Sequence, residues 1–230
     1  MHPFSGLRLR NLIPITAGFR AVTRVERRWQ SHSTNLTPRL THLDSAGRPS
    51  MVDVSDKDST KRAATATGCV YIPRTAYELV TGASPYVKNN SPVDKLQTKA
   101  ANKGDALTVA QLAAIMGCKR TSELIPLCHP LQLSTISVML IPEVVNIRES
   151  QGHGSHILPH RIRCTATVSC EGKTGVEMEA LTAVSVGLLT VWDMLKAVAG
   201  REMVIGDIFV SHKSGGKSGD FARCGSVEVT

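Results

Sequence analysis

Residues 176–198 read VEMEALTAVSVGLLTVWDMLKAV, a stretch without proline whose apolar residues recur at helical spacing before Gly200 stops it. This helix constrains the fold more than any other feature. It is apolar almost all round, so most of its surface must be covered. Glu177, Glu179, Asp193 and Lys196 interrupt it, and no run reaches the roughly 18 uncharged apolar residues of a membrane span. The expected cover is protein, and the rest of the chain supplies strands to provide it.

Leu131–Ile141 alternates and is β-branched. Arg161–Glu171 alternates more strictly, with Ile162, Cys164, Ala166 and Val168 on one face and Arg163, Thr165 and Thr167 on the other. Cys69–Ile72 is a short β-type run, and Met203–Ser211 is the last strand. Pro73 opens a helix that Gly82 stops. Asp105 caps another through Leu107, Ala110, Gln111, Ala114 and Ile115, with Gly117 as its expected end. Ser122–Ile125 is a single helical turn before Pro126. The order β-α-(α)-β-β-α-β predicts an α+β fold of the ferredoxin-like, split-βαβ type: an antiparallel sheet with helices on one face.

The predicted organisation is a targeting segment without regular structure over 1–39, an arm over 40–66, a catalytic domain over 67–222 and a tail over 223–230. Two polar stretches, 83–101 and 149–160, read as loop insertions.

The formal net charge of +8 suggests nucleic acid until its location is considered. Arg8, Arg10, Arg20, Arg24, Arg27, Arg28 and Arg39 face the single acid Glu26 within the first 40 residues, leaving about +2 for the rest. An Arg-rich, acid-poor, mildly amphipathic start has the composition of an organelle transit peptide, and the expected destination is the mitochondrial matrix. A non-functional leader would leave the chain in the cytoplasm. The six cysteines show no C-x-x-C spacing and no zinc pattern, so they read as small hydrophobes in a reducing compartment.

Several segments carry possible chemistry. Gly172-Lys173-Thr174-Gly175 brackets a lysine at a strand-to-helix junction, where backbone N–H groups favour anions. Glu177 and Glu179 follow, two apart and directed to different sides; acids are also common in a first turn because of the helix dipole. Asp193 and Lys196 share a face, and Glu179 lies within about 40° of that side. Among so many apolar neighbours the pair reads either as a buried structural bridge or as an acid/base pair with tuned pKa values. Ser211–Asp220 resembles a phosphate loop but fails as Walker A, because Ser211 stands where its first glycine belongs. His129 is held extended by Pro130. Lys103 precedes a helix, and Arg62 sits in Ser-Thr-Lys-Arg. Taken one at a time, each of these also fits a solvated or structural residue.

Together they resemble a family. LTHLDSAGRPSMVDVS at 40–55, Lys103-Gly104-Asp105, KRTSELIPLCHPL at 119–131, the segment 172–196 and MVIGDIFVSHKSGGKSGDF at 203–221 look like MoaC-type cyclic pyranopterin monophosphate synthase of molybdenum cofactor biosynthesis. The resemblance implies a ferredoxin-like homo-oligomer, a hexamer built as a trimer of dimers, with active sites between subunits. It implies a small-molecule substrate, 3′,8-cyclo-7,8-dihydro-GTP, supplied by an upstream radical-SAM GTP cyclase. It implies no cofactor, no metal, no nucleic acid and no membrane. By the same resemblance Asp193, Lys196 and Lys103 are catalytic. Substrate contacts fall on Leu127, Cys128, His129, Met178 and Glu179, with Glu177, Arg62 and Lys213 as further pocket residues.

Two other readings share the element order. An RNA-binding module would stack bases on sheet aromatics, but aromatics are 4% of the chain and strand 161–171 has none. A non-catalytic oligomerisation module leaves the charges of the long helix unexplained. A reporter fused to residues 1–40 should enter mitochondria; a cytosolic reporter contradicts the targeting expectation.

Overall fold

The computed structural model describes residues 40–82, 105–145 and 158–223. The targeting segment, the 83–101 insertion, most of the 149–160 insertion and Lys103 lie outside the described residues, as does the tail beyond Arg223.

Strands β1 (Thr60–Ile72), β2 (Leu133–Val144), β3 (His160–Gly172), β4 (Val204–Ser214) and β5 (Phe221–Ala222) form one antiparallel sheet in the order β2-β3-β1-β4-β5. Helices α1 (Arg74–Thr81), α2 (Ala106–Lys119), α3 (Thr121–Leu124) and α4 (Glu177–Ala199) complete the βαββαβ order, so the ferredoxin-like expectation holds. Strand β5 is a short addition whose two residues pair with His212 and Lys213.

The alternation of β1 and β3 decides where the long helix sits. Ala64, Ala66, Val70 and Ile72 on β1 and Ile162, Cys164, Ala166 and Val168 on β3 are buried on one face. Helix α4 covers that face with Ala180, Ala183, Val184, Gly187, Leu188 and Val191, all buried. Most of these residues are small, so the helix seats close. A Cβ at Gly68 would lie 2.8 Å from both Val184 Cγ1 and Ile208 Cγ1. Helix α4 has the length and composition of a membrane span, but here its apolar face lies on the sheet. Helix α2 packs beside it over β2, where Gln111 Nε2 donates to the Val138 carbonyl at 2.8 Å.

The other sheet face carries polar rows. Thr65 and Thr167 hydroxyls lie 2.9 Å apart, and Thr135 and Ser169 hydroxyls 2.7 Å apart. Glu143 Oε2 accepts from both Arg161 and Arg163 at 2.8 Å.

Among the boundaries that differ from the sequence reading, including β2, which runs over Leu133–Val144 rather than Leu131–Ile141, three bear on the site or the packing. Strand β1 starts at Thr60, not Cys69; its buried positions there are Ala64, Ala66 and Gly68, which carry little hydrophobic signal. The arm therefore gives up residues 60–66 to the sheet. Strand β4 runs on to Ser214, so Lys213 belongs to a strand rather than a loop. Gly117 does not end α2; the helix continues to Lys119. Gly117 is there because α4 crosses at that point: a Cβ would lie 2.7 Å from Val186 Cγ2. Gly187 faces Ala114 in the same contact, with its would-be Cβ at 3.2 Å.

Gly117→Ala should lower stability by about 1–2 kcal/mol through overpacking, although alanine favours a helix by about 1 kcal/mol. Adding Val186→Ala should recover part of that loss in denaturant midpoints. A midpoint raised by Gly117→Ala alone contradicts the packing argument.

Candidate active site

The sheet brings the end of β3, the start of β1 and the end of β4 to the same edge. Gly172 pairs with Thr60 and Lys213 with Ala64. The first turn of α4 rises from the same corner. Around it lies a pocket of about 600 Å³, closed on its other sides by the 127–131 segment and by the arm.

Arg62 leaves β1 with its Nε donating to the Gly172 carbonyl at 2.8 Å. Its guanidinium rests against Gly216, where a Cβ would lie 2.2 Å from Nη1. Gly215 and Gly216 have φ of 84° and 81°, which glycine adopts without strain. A Cβ at Gly215 would lie 2.1 Å from the Lys61 carbonyl oxygen. The Ser-Gly-Gly-Lys-Ser stretch is thus glycine-rich so that it can lie flat on β1. Its Gly215 N–H is taken by Asp220 Oδ1 at 2.9 Å.

Lys213 Nζ lies 2.9 Å from Glu177 Oε1 and 2.8 Å from Ser218 Oγ. Gly175 makes room for this pair: a Cβ there would lie 1.9 Å from Glu177 Oε2. The second glycine of Gly172–Gly175 therefore serves the placement of Glu177. Glu177 and Glu179 were expected on different sides of the helix, yet both line the pocket, because the pocket wraps the helix's first turn.

Glu179 is buried at 4% exposure and has no ion pair among the described residues. Burial raises its pKa above the ordinary carboxylate value, and the neighbouring Glu177 charge adds to the effect. Cys118, Cys128 and Cys170 lie within its field, and burial pushes their thiols up as well, that of Cys118 to about 12. Thiols so held are poor nucleophiles. The pocket therefore combines a cationic rim (Arg62, Lys213, Lys173, Lys57, Lys217) with a buried, easily protonated acid. Such a rim can hold phosphates, and such an acid can donate a proton or a hydrogen bond.

The pocket gathers Arg62, Leu127, Cys128, His129, Glu177, Met178, Glu179 and Lys213. It does not gather Asp193 and Lys196. They form an ion pair at 2.5 Å with side chains 66% and 52% exposed, so neither a buried bridge nor an acid/base pair desolvated by its own chain describes them. Fourteen residues at 1.5 Å each separate Asp193 from Glu179 by roughly 21 Å along the helix. The turn of about 40° also carries Asp193 off the buried sector, towards the side where Leu189 is 60% exposed. Glu179 and Asp193 do not bound one pocket in a single chain.

Sequence reasoning missed the arm as a wall of the site. Thr41, His42, Val52, Val54 and Lys57 all line the pocket, as do Lys173 and Lys217. The available signals were the alternation of Val52 and Val54 around Asp53 and the arm's share in the family resemblance.

A ferredoxin-like α+β sheet with a phosphate-suited pocket at one corner defines a protein built to hold a small anionic compound. Comparison with known proteins narrows this. The family model described as the MoaC family matches residues 51–216. Cyclic pyranopterin monophosphate synthase of Campylobacter jejuni is 44% identical over 185 residues, covering 80% of this chain and 99% of that protein. The proteins of the same name from Helicobacter hepaticus and a Sulfurovum species are also 44% identical, each covered over 98% of its length. The chain belongs to the MoaC family.

The raised pKa of Glu179 sets a pH dependence. Above the ordinary carboxylate range the unfolded chain has lost this proton while the folded chain still holds it, so stability falls as pH rises through that window. Glu179→Gln should remove this slope. Its stability relative to the parent should rise from about pH 4 upward until the folded Glu179 ionises. Denaturant midpoints across pH read this, and a difference independent of pH contradicts it.

Proposed function

We propose that this MoaC-family chain is a cyclic pyranopterin monophosphate synthase. It converts 3′,8-cyclo-7,8-dihydro-GTP to cyclic pyranopterin monophosphate and diphosphate in molybdenum cofactor biosynthesis. The observation that carries this reading is full-length similarity to relatives of that name, with eight of the expected site residues lining one pocket.

In this reading the enzyme is a phosphorus–oxygen lyase. A substrate hydroxyl attacks the α-phosphorus, the bond to the diphosphate oxygen breaks, and diphosphate leaves with the negative charge. Arg62 and Lys213, with Lys103, hold the triphosphate and stabilise that charge. Leu127, Cys128, His129, Met178 and Glu179 contact the heterocycle, and Glu177 holds Lys213 in place. Rebuilding the ring system moves protons several times, and Asp193 with Lys196 provides the acid/base pair.

The exposed Asp193–Lys196 pair supports a site completed by a second copy. We place those two residues of one copy against the pocket of its neighbour, within a hexamer arranged as a trimer of dimers. An upstream radical-SAM GTP cyclase supplies the substrate, and the Arg-rich leader directs the chain to mitochondria.

Asp193→Asn should cut turnover by roughly 10²–10⁴-fold while leaving substrate binding nearly unchanged. Mixing that variant with Lys213→Ala, under conditions that exchange subunits, should restore about a quarter of the activity, because half the random dimers carry one intact site of two. Unchanged turnover in Asp193→Asn contradicts its role; no recovery on mixing contradicts the shared site.

A further inference from the structure

One wall of the pocket is the arm, which belongs to neither the sheet nor the helices. Residues 51–54 run along it without regular structure and turn at 55–57, with Val52, Val54 and Lys57 half-buried and lining the pocket and with Asp53 and Ser55 exposed. Local hydrogen bonds shape the turn in this segment. Asp53 Oδ1 accepts from the Ser55 N–H at 2.8 Å and from the Ser55 hydroxyl at 2.6 Å. The Lys57 N–H donates to the Val54 carbonyl at 3.1 Å, closing a turn that keeps the Lys57 side chain on the pocket side. Among the described residues no strand pairs with it, and the arm's one ladder contact is the Leu43–Pro49 bridge nearer its start.

Among the described residues a single side-chain hydrogen bond ties this turn to the body of the domain. Lys173 Nζ donates to the Ser55 carbonyl at 2.7 Å, across 118 residues of chain. The anchor is rigid, since Lys173 directly follows Gly172, the last residue of β3, whose own carbonyl is held by Arg62. The electrostatics of the turn agree. The Asp53 carboxyl is held below its ordinary value first by the Ser55 hydroxyl and backbone, and also by the charges of Lys173 and His129. The arm thus brings an acid close to Lys173 and His129. On its pocket side it brings a cation, Lys57, which has no ion pair among the described residues.

We propose that Lys173 is a positioning residue that latches the 51–57 arm over the pocket, so that Lys57 on the arm meets the anionic end of the substrate. This rests on the function proposed above. Lys173 uses its ammonium on the arm's backbone, so it is spent as a tether, and Lys57 is the phosphate-facing charge that the tether delivers. The sequence reading of Gly172–Gly175 as an anion-binding loop is thereby redirected: the lysine acts on the arm, and the arm acts on the anion.

The test uses the full chain with Lys173→Met, which keeps the aliphatic length and removes the donor, and Lys173→Arg, which restores one. KM for the cyclised GTP substrate should rise about tenfold in Lys173→Met, with kcat within about twofold, and Lys173→Arg should recover most of the loss. Hydrogen exchange over residues 51–57 should be faster in Lys173→Met. In the parent chain it should slow when inorganic triphosphate is added, and Lys57→Met should abolish that slowing. Unchanged KM with unchanged arm exchange overturns the latch, and so does a fall in kcat at constant KM, which would place Lys173 in the chemistry. If the parent chain makes no product, the proposed reaction fails, and arm exchange with triphosphate still decides the latch.

Discussion

Everything at the site depends on how closely helix α4 seats on the sheet. The faces that meet are built of small residues: Ala64, Ala66 and Gly68 on β1, Cys164 and Ala166 on β3, and Ala180, Ala183 and Gly187 on the helix. Gly68 has no room for a methyl group, and neither has Gly117 where α2 meets α4. Close packing of this kind leaves the helix one position along its axis, because a shift would set side chains against side chains. That position puts the first turn of α4 at the corner where β1, β3 and β4 converge. Glu177 therefore reaches Lys213, and Glu179 is buried beside the 127–131 segment.

The pocket then acquires its character from unequal solvation. At the rim the cations keep water or find short-range partners: Arg62 on a carbonyl, Lys213 on Glu177 and Ser218. At the base Glu179 is buried and has no ion pair among the described residues, so burial favours its neutral form. A ligand with phosphates at one end and a hydrogen-bonding heterocycle at the other matches this gradient. The glycines nearby serve side chains and loops of the protein itself. Gly175 admits Glu177, Gly216 admits Arg62, and Gly215 admits the Lys61 carbonyl.

Much of this was legible in the sequence, for identifiable reasons. Helix α4 declared itself because a long apolar run of helical period has few alternatives, and β3 because strict alternation does. The first half of β1 stayed hidden because alanine and glycine bury a face without a strong hydrophobic signal. Gly117 misled because a glycine that ends a helix and one that admits a neighbouring helix look alike until the neighbour is in place. At the site, Arg62, Glu179 and Lys213 came from resemblance to a family; their meeting at one corner depends on strand register, which a linear reading does not supply. Asp193 and Lys196 show the converse. Their apolar neighbours suggested burial, but Leu188, Val191 and Leu195 face the sheet from the other side of the helix and leave the pair exposed beside Leu189. The arm was underestimated because its contacts to the pocket run through backbone and short side chains.

In the proposed function a cationic rim with a buried acid carries out one cyclisation with loss of diphosphate. The most direct measurement is incubation of the purified chain with 3′,8-cyclo-7,8-dihydro-GTP, following diphosphate and, after oxidation, the fluorescent pterin. The account predicts that the two appear together in equal amounts. Diphosphate without pterin, or neither product from a folded oligomer, would contradict it.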